Sequence, residues 1–205
     1  MRKSVIILSI YIIASITSCS QSKQPKIIGE NPLELKNFDF NLNIENFIPK
    51  KYYYNGIFEF PFENDFDRTF HISRDTVYLH HDYKENPQNA SRIEYRTLGG
   101  NIGNGLAKFG EYPFNYIDFA ISLDNKIMAI KAYTIYDDKK SKKEEIDNFI
   151  ERLTKKYGSY SFKDDNFGTE YSWDLDNLLI QYRFKSNKRL PVHISDIEVI
   201  LTFKK

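Results

Sequence analysis

Apolar and polar side chains alternate along much of the chain, and the phase of that alternation predicts most of the elements. Phe38, Phe40, Leu42 and Ile44 stand at every second position, a period that buries one face of a strand and wets the other, so a strand is predicted over residues 38–44. Phe58, Phe60 and Phe62 repeat the pattern. Pro61 lacks an amide proton and confines that strand to an edge or to its own end. Short strands are predicted over 76–79 and 93–98. Two runs rich in Ile, Phe and Tyr, 116–123 and 126–136, flank Asp124 and Asn125, residues that tolerate a left-handed backbone and signal a hairpin. A second hairpin is predicted where 170–173 and 178–184 flank residues 174–177. The chain closes on Ile197, Val199, Leu201 and Phe203, again at period two.

One segment changes period. Ile146, Phe149, Ile150, Leu153 and Tyr157 follow helical spacing, and Gly158 supplies a left-handed stop. Ser141 and Glu144 fit a capping box, in which hydroxyl and carboxylate satisfy each other's main-chain amides. A helix is predicted over 141–157. Burying its apolar face contributes about 1.5 to 3 kcal/mol per large side chain, more than the cap's ~1 kcal/mol, so the helix must lie on a sheet. Strands, one helix and more strands, joined by hairpins, predict an α+β fold: mostly antiparallel sheet with one amphipathic helix packed on it. Residues 31–205 are long enough for one such domain, with a possible internal boundary near 99–110.

The first residues belong to no fold. Arg2 and Lys3 precede an apolar run from Val5 to Ile16, about a dozen residues and short of the roughly 20 that span a bilayer. It ends in Ile16-Thr17-Ser18-Cys19, which resembles the lipobox of bacterial lipoproteins. The resemblance covers residues 1–19. It implies that 1–18 are a signal peptide, that Cys19 is lipidated, and that 19–30 are a tether. Cys19 is the only cysteine in the chain, so it has no disulfide partner within it. Several acyl chains on one residue make a firm anchor where one would be marginal. Ser20 after the cysteine implies the outer membrane in lipoproteins of this kind. The acidic tag that resembles a surface-export signal in some Bacteroidota lipoproteins is missing, which favours a periplasmic orientation.

Charge narrows the partners. The 29 basic and 28 acidic residues leave a formal charge of +1, which excludes a strongly basic nucleic-acid binder. The chemical motifs fail at named residues. His80 and His81 are neighbours that a strand would point to opposite faces, and His71 and His193 pair with nothing by motif, so no metal site is predicted. The glycine-rich stretch from Gly99 to Gly105 lacks a phosphate-loop Lys-Ser/Thr pair, and Lys108 occupies the place a dinucleotide loop gives to Gly or Ala. Asp174-Leu175-Asp176-Asn177 opens like a calcium loop but has Leu179 where glycine is required. Asp65, Asp67, Asp164 and Asp165 offer paired carboxylates without a defined spacing across a cleft.

No catalytic residue, metal or cofactor is therefore assigned. The remaining binding signals are Tyr52, Tyr53 and Tyr54, three consecutive rings that cannot all face inward, and the glycines Gly103 and Gly105, in a connection free to move on binding. The expectation is a lipid-anchored, non-catalytic binding or inhibitor-like module of the periplasm, held by its N-terminal lipid and contacting a protein or glycan of the envelope. The alternatives are an envelope-polymer hydrolase using loop carboxylates and a structural subunit of an outer-membrane complex.

Overall fold

In the computed structural model, residues 24–62, 65–79, 87–100, 105–136, 143–165, 168–186 and 195–204 are described. The alternating segments after residue 56 pair into a wide, mostly antiparallel sheet. Its strands are β2 (Tyr53–Tyr54), β3 (Ile57–Phe62), β4 (Asp65–Tyr78), β5 (Ala90–Gly100), β8 (Tyr116–Ile121), β9 (Ile127–Tyr136), β10 (Ser161–Asp165), β11 (Gly168–Asp174), β12 (Leu178–Ser186) and β13 (Ser195–Phe203). Among the described residues the order across the sheet is β10-β11-β12-β13-β9-β8-β5-β4-β3-β2. A second, three-stranded sheet joins β1 (Leu33–Glu34), β6 (Ala107–Phe109) and β7 (Tyr112–Phe114). There β1 runs parallel to β6, and β6 antiparallel to β7.

Both predicted hairpins form. In the first, ladder pairing stops at Ile121 opposite Ile127, so the connection is longer than Asp124 and Asn125 alone. It is closed by the Ser122 amide donating to the Lys126 carbonyl at 2.8 Å, and Asn125 takes the left-handed conformation, φ 63°. In the second, the Leu175 amide donates to the Leu178 carbonyl at 2.9 Å. Pro61 sits where the β3–β4 register shifts and beyond the reach of β2, which pairs only with Ile57 and Phe58.

The strand predicted over 38–44 does not form. Its polar positions are Asp39, Asn41 and Asn43, short side chains that bond their own backbone in competition with a ladder. Asp39 accepts the Asn41 amide at 2.9 Å, and Asn43 caps a one-turn helix, α1 (Ile44–Phe47), by accepting the amides of Glu45 and Asn46. Residues 24–30, part of the segment expected to be a tether, make contacts with the folded part. The Gln24 side chain bonds the Glu34 main chain in both directions, Ile28 is buried, and its amide donates to Phe47.

The long helix, α2 (Lys143–Tyr157), ends as predicted: the Gly158 amide donates to the Thr154 carbonyl at 2.9 Å with φ +88°. Ser141 of the capping box lies outside the described residues. Phe149, only 2% exposed, meets Phe109 and Tyr112 of the small sheet, at 5.6 and 4.5 Å between ring centroids, and Tyr182 of β12 at 4.8 Å. The Trp173 indole of β11 donates to the Gly158 carbonyl at 3.1 Å, fixing the end of the helix to the large sheet. Strands β4 and β8 are met by residues 24–48 instead. Phe47 packs edge-on to Phe119 of β8, and Gly29 lies against the ring of Phe70 on β4. Buried residues from Ile28 to Leu201 form one cluster, drawn from both sides of 99–110.

Because its ring joins two sheets and the helix, Phe149→Ala should destabilise the protein by about 3 to 5 kcal/mol. Denaturant unfolding measures it. A loss below ~1 kcal/mol would show that the helix lies free on the surface.

Candidate functional site

The residues singled out from sequence scatter. Cys19 and Gly103 lie outside the described residues. Gly105 is buried, so it is no part of an exposed binding surface. Its φ is +77°, and a Cβ there would stand 2.6 Å from the Phe114 carbonyl oxygen, to which the next amide, that of Leu106, is hydrogen-bonded. Glycine is required for that close approach of two main chains.

The three tyrosines divide. Tyr52 is half-buried, its ring 4.8 Å from Phe60 and under the Lys51 ammonium. Tyr53 and Tyr54 form the edge strand β2 and are 51% and 65% exposed. Asn55 and Gly56, both at positive φ, turn the chain into β3. This is the short-range hairpin signal Asn-Gly.

A concave site lies elsewhere, beside α2. A cavity of about 450 Å³ opens between the helix and the β6–β7 hairpin, within the range of small-molecule pockets. Phe109, Tyr112, Phe149 and Leu153 give it apolar walls, and Lys36, Arg152, Lys155 and Lys156 bring four positive charges against one lining carboxylate, Glu111, with that of Glu34 nearby on the Gly110 amide at 3.0 Å. Arg152 spans the opening to Glu111 at 2.6 Å and lies over the Tyr112 ring, 5.7 Å from its centroid. The Lys156 ammonium and the Tyr157 hydroxyl both donate to the Lys36 carbonyl, at 3.3 and 3.4 Å, which closes one end. Partial burial pulls the Lys156 ammonium below the usual lysine range against the opposing pull of Glu34, and burial pushes the Tyr112 phenol up.

The large sheet's other face is polar and organised by register. Lys163, Glu170, Arg183 and Glu198 are paired in turn across β10, β11, β12 and β13. Arg183 binds Glu170 directly and stands 3.7 Å from Glu198, which is almost fully buried. Burial alone would raise the Glu170 carboxyl, but hydrogen bonds from Arg183, Gln181 and Ser172 outweigh it and hold the group below its ordinary value of 4.5. Farther along, Glu94 lies between Arg92 and Arg96, and Asp118 pairs with Lys131 at 2.8 Å. A general acid needs a carboxyl whose pKa is raised; Glu94 and Glu170 are both lowered. Asp164 accepts from Thr169, and Asp165 binds Lys163, so that pair belongs to the end of a hairpin. Among the described residues no His, Cys, Asp and Glu cluster could hold a metal ion, and no helix is long and apolar enough to cross a membrane.

The chain matches no protein-family model, no curated protein and no solved structure.

The tyrosines yield a test of surface against core. Tyr53→Ala and Tyr54→Ala should leave the melting temperature nearly unchanged, whereas Tyr52→Ala should lower stability by about 1 to 3 kcal/mol through lost ring packing. Equal losses at all three positions would place Tyr53 and Tyr54 in the core.

Proposed function

We propose that the chain is a lipid-anchored module of the bacterial envelope that works by binding, without catalysis. The supporting observation is the cavity beside α2, which is concave, apolar inside and rimmed by charge, the form of a ligand site. The carboxylates on the polar face support the same reading. Glu170 and Glu198 share one guanidinium between them, and Glu94 is held by two, an arrangement that favours fixed geometry over proton transfer. The exposed Tyr53 and Tyr54 at the sheet edge offer a second contact surface for an envelope protein or glycan.

Anchoring follows from the lipobox-like Ile16-Thr17-Ser18-Cys19. The ordered contacts of Gln24 leave only a few residues between Cys19 and the folded part, so the domain would be held close to the membrane surface. Removal of residues 1–18 takes away Arg2 and Lys3 and no acid.

Mass spectrometry of the mature N-terminus tests the anchor: Cys19 should be the first residue and carry acyl chains, and Cys19→Ser should abolish them. Cleavage at another bond, or an unmodified Cys19, would contradict the localisation. Incubation of the full chain with peptidoglycan and glycan fragments should release no product. Turnover lost on replacing Glu170 or Glu94 would overturn the binding reading in favour of a hydrolase.

A further inference from the structure

We propose that the cavity between α2 and the β6–β7 hairpin takes a small anionic organic molecule, its acid group on the rim of Arg152 and the lysines and its apolar body against the ring of Tyr112. The proposal rests on the binding reading above and adds the ligand's charge and size.

Charge selects the sign. Four of the residues lining the cavity are basic and one is acidic, in a chain whose basic and acidic residues otherwise nearly cancel. The negative end of the helix dipole accounts for basic residues in the last turn of α2, Lys155 and Lys156. It does not account for Lys36, which comes from a different segment, or for the Arg152 side chain, which is directed across the opening to Glu111. That ion pair is replaceable, because both partners are more than half exposed, at 61% and 79%, and such pairs contribute little. A ligand carboxylate, sulfate or phosphate can take the place of Glu111 on the guanidinium, with a fork geometry that arginine favours. The Lys156 ammonium is partly desolvated, and an anion bound nearby would offset part of that cost.

The walls select the body. The half-buried ring of Tyr112 and the aliphatic stems of Arg152 and the lysines give the ligand apolar surface, with Phe109, Phe149 and Leu153 buried behind them, so an inorganic anion would leave that surface unused. A cavity of about 450 Å³ suits a molecule of small-metabolite size, whereas a protein partner needs on the order of 800 Å² of surface on each side.

The test compares three probes of one shape on the purified full-length chain: 2-naphthoate, 2-naphthylmethanol and 2-naphthylmethylammonium. Isothermal titration calorimetry follows each, with protein-free detergent micelles subtracted. Naphthoate should bind at least about tenfold more tightly than the other two. The double variant Arg152→Gln, Lys155→Gln should lose that preference while keeping the wild-type melting temperature, since both side chains are exposed. Equal binding of naphthoate and the alcohol would overturn the anion selection and leave the binding reading standing. Failure of all three to bind would overturn both. Unchanged naphthoate binding by the double variant would overturn the placement of the acid group.

Discussion

A sheet of ten strands with one apolar face must have that face covered, and the described residues hold a single long helix with which to do it. The helix, α2, lies against β12 and leaves β4 and β8 to be met by other residues. Residues 24–48 supply them, with almost no regular structure, and the small sheet fills the space between. Phe149 is the joint: one ring touches Phe109 and Tyr112 on the small sheet and Tyr182 on the large one. Aromatic rings suit this position because each offers a large apolar area and a specific edge-to-face geometry to several neighbours at once.

The cavity is a consequence of that joint. Where the last turns of α2 pass the β6–β7 hairpin, the side chains that face the gap are long and basic, so they line its rim without filling it. The same register that buries every second residue sends the others to the opposite face, where opposite charges meet across neighbouring strands. Partly buried ion pairs there and exposed cations around the cavity give the two regions different character. One holds its charges satisfied within the fold; the other presents them to solvent.

The fold class, the helix and the two later hairpins were legible because each rests on a local signal: period, cap or turn residue. Residues 38–44 misled because the alternation was right and the polar residues were wrong for a ladder. Asp39, Asn41 and Asn43 bond their own backbone, and a run of Ser, Thr or Lys at those places would not have done so as strongly. The hairpin at Asn55-Gly56 carried the strongest two-residue turn signal in the chain and could have been read, but β2 is only two residues long and shows no alternation. Strands β6 and β7, of three residues each, are too short to establish a period, and β10 is exposed along its length. The cavity was out of reach for a further reason. Lys36, residues 109–112 and residues 149–156 are distant in sequence, and only tertiary packing brings them to one opening.

Hydrogen–deuterium exchange of the full-length chain tests most directly whether the docking of α2 holds the structure together. If Phe149 ties the helix to both sheets, the interior amides of α2 must open together with those of β12 and β13, with the same protection and the same dependence on denaturant. Helix amides that exchange much faster than the strands, and independently of denaturant, would show that α2 opens locally and that the large sheet is stable without it.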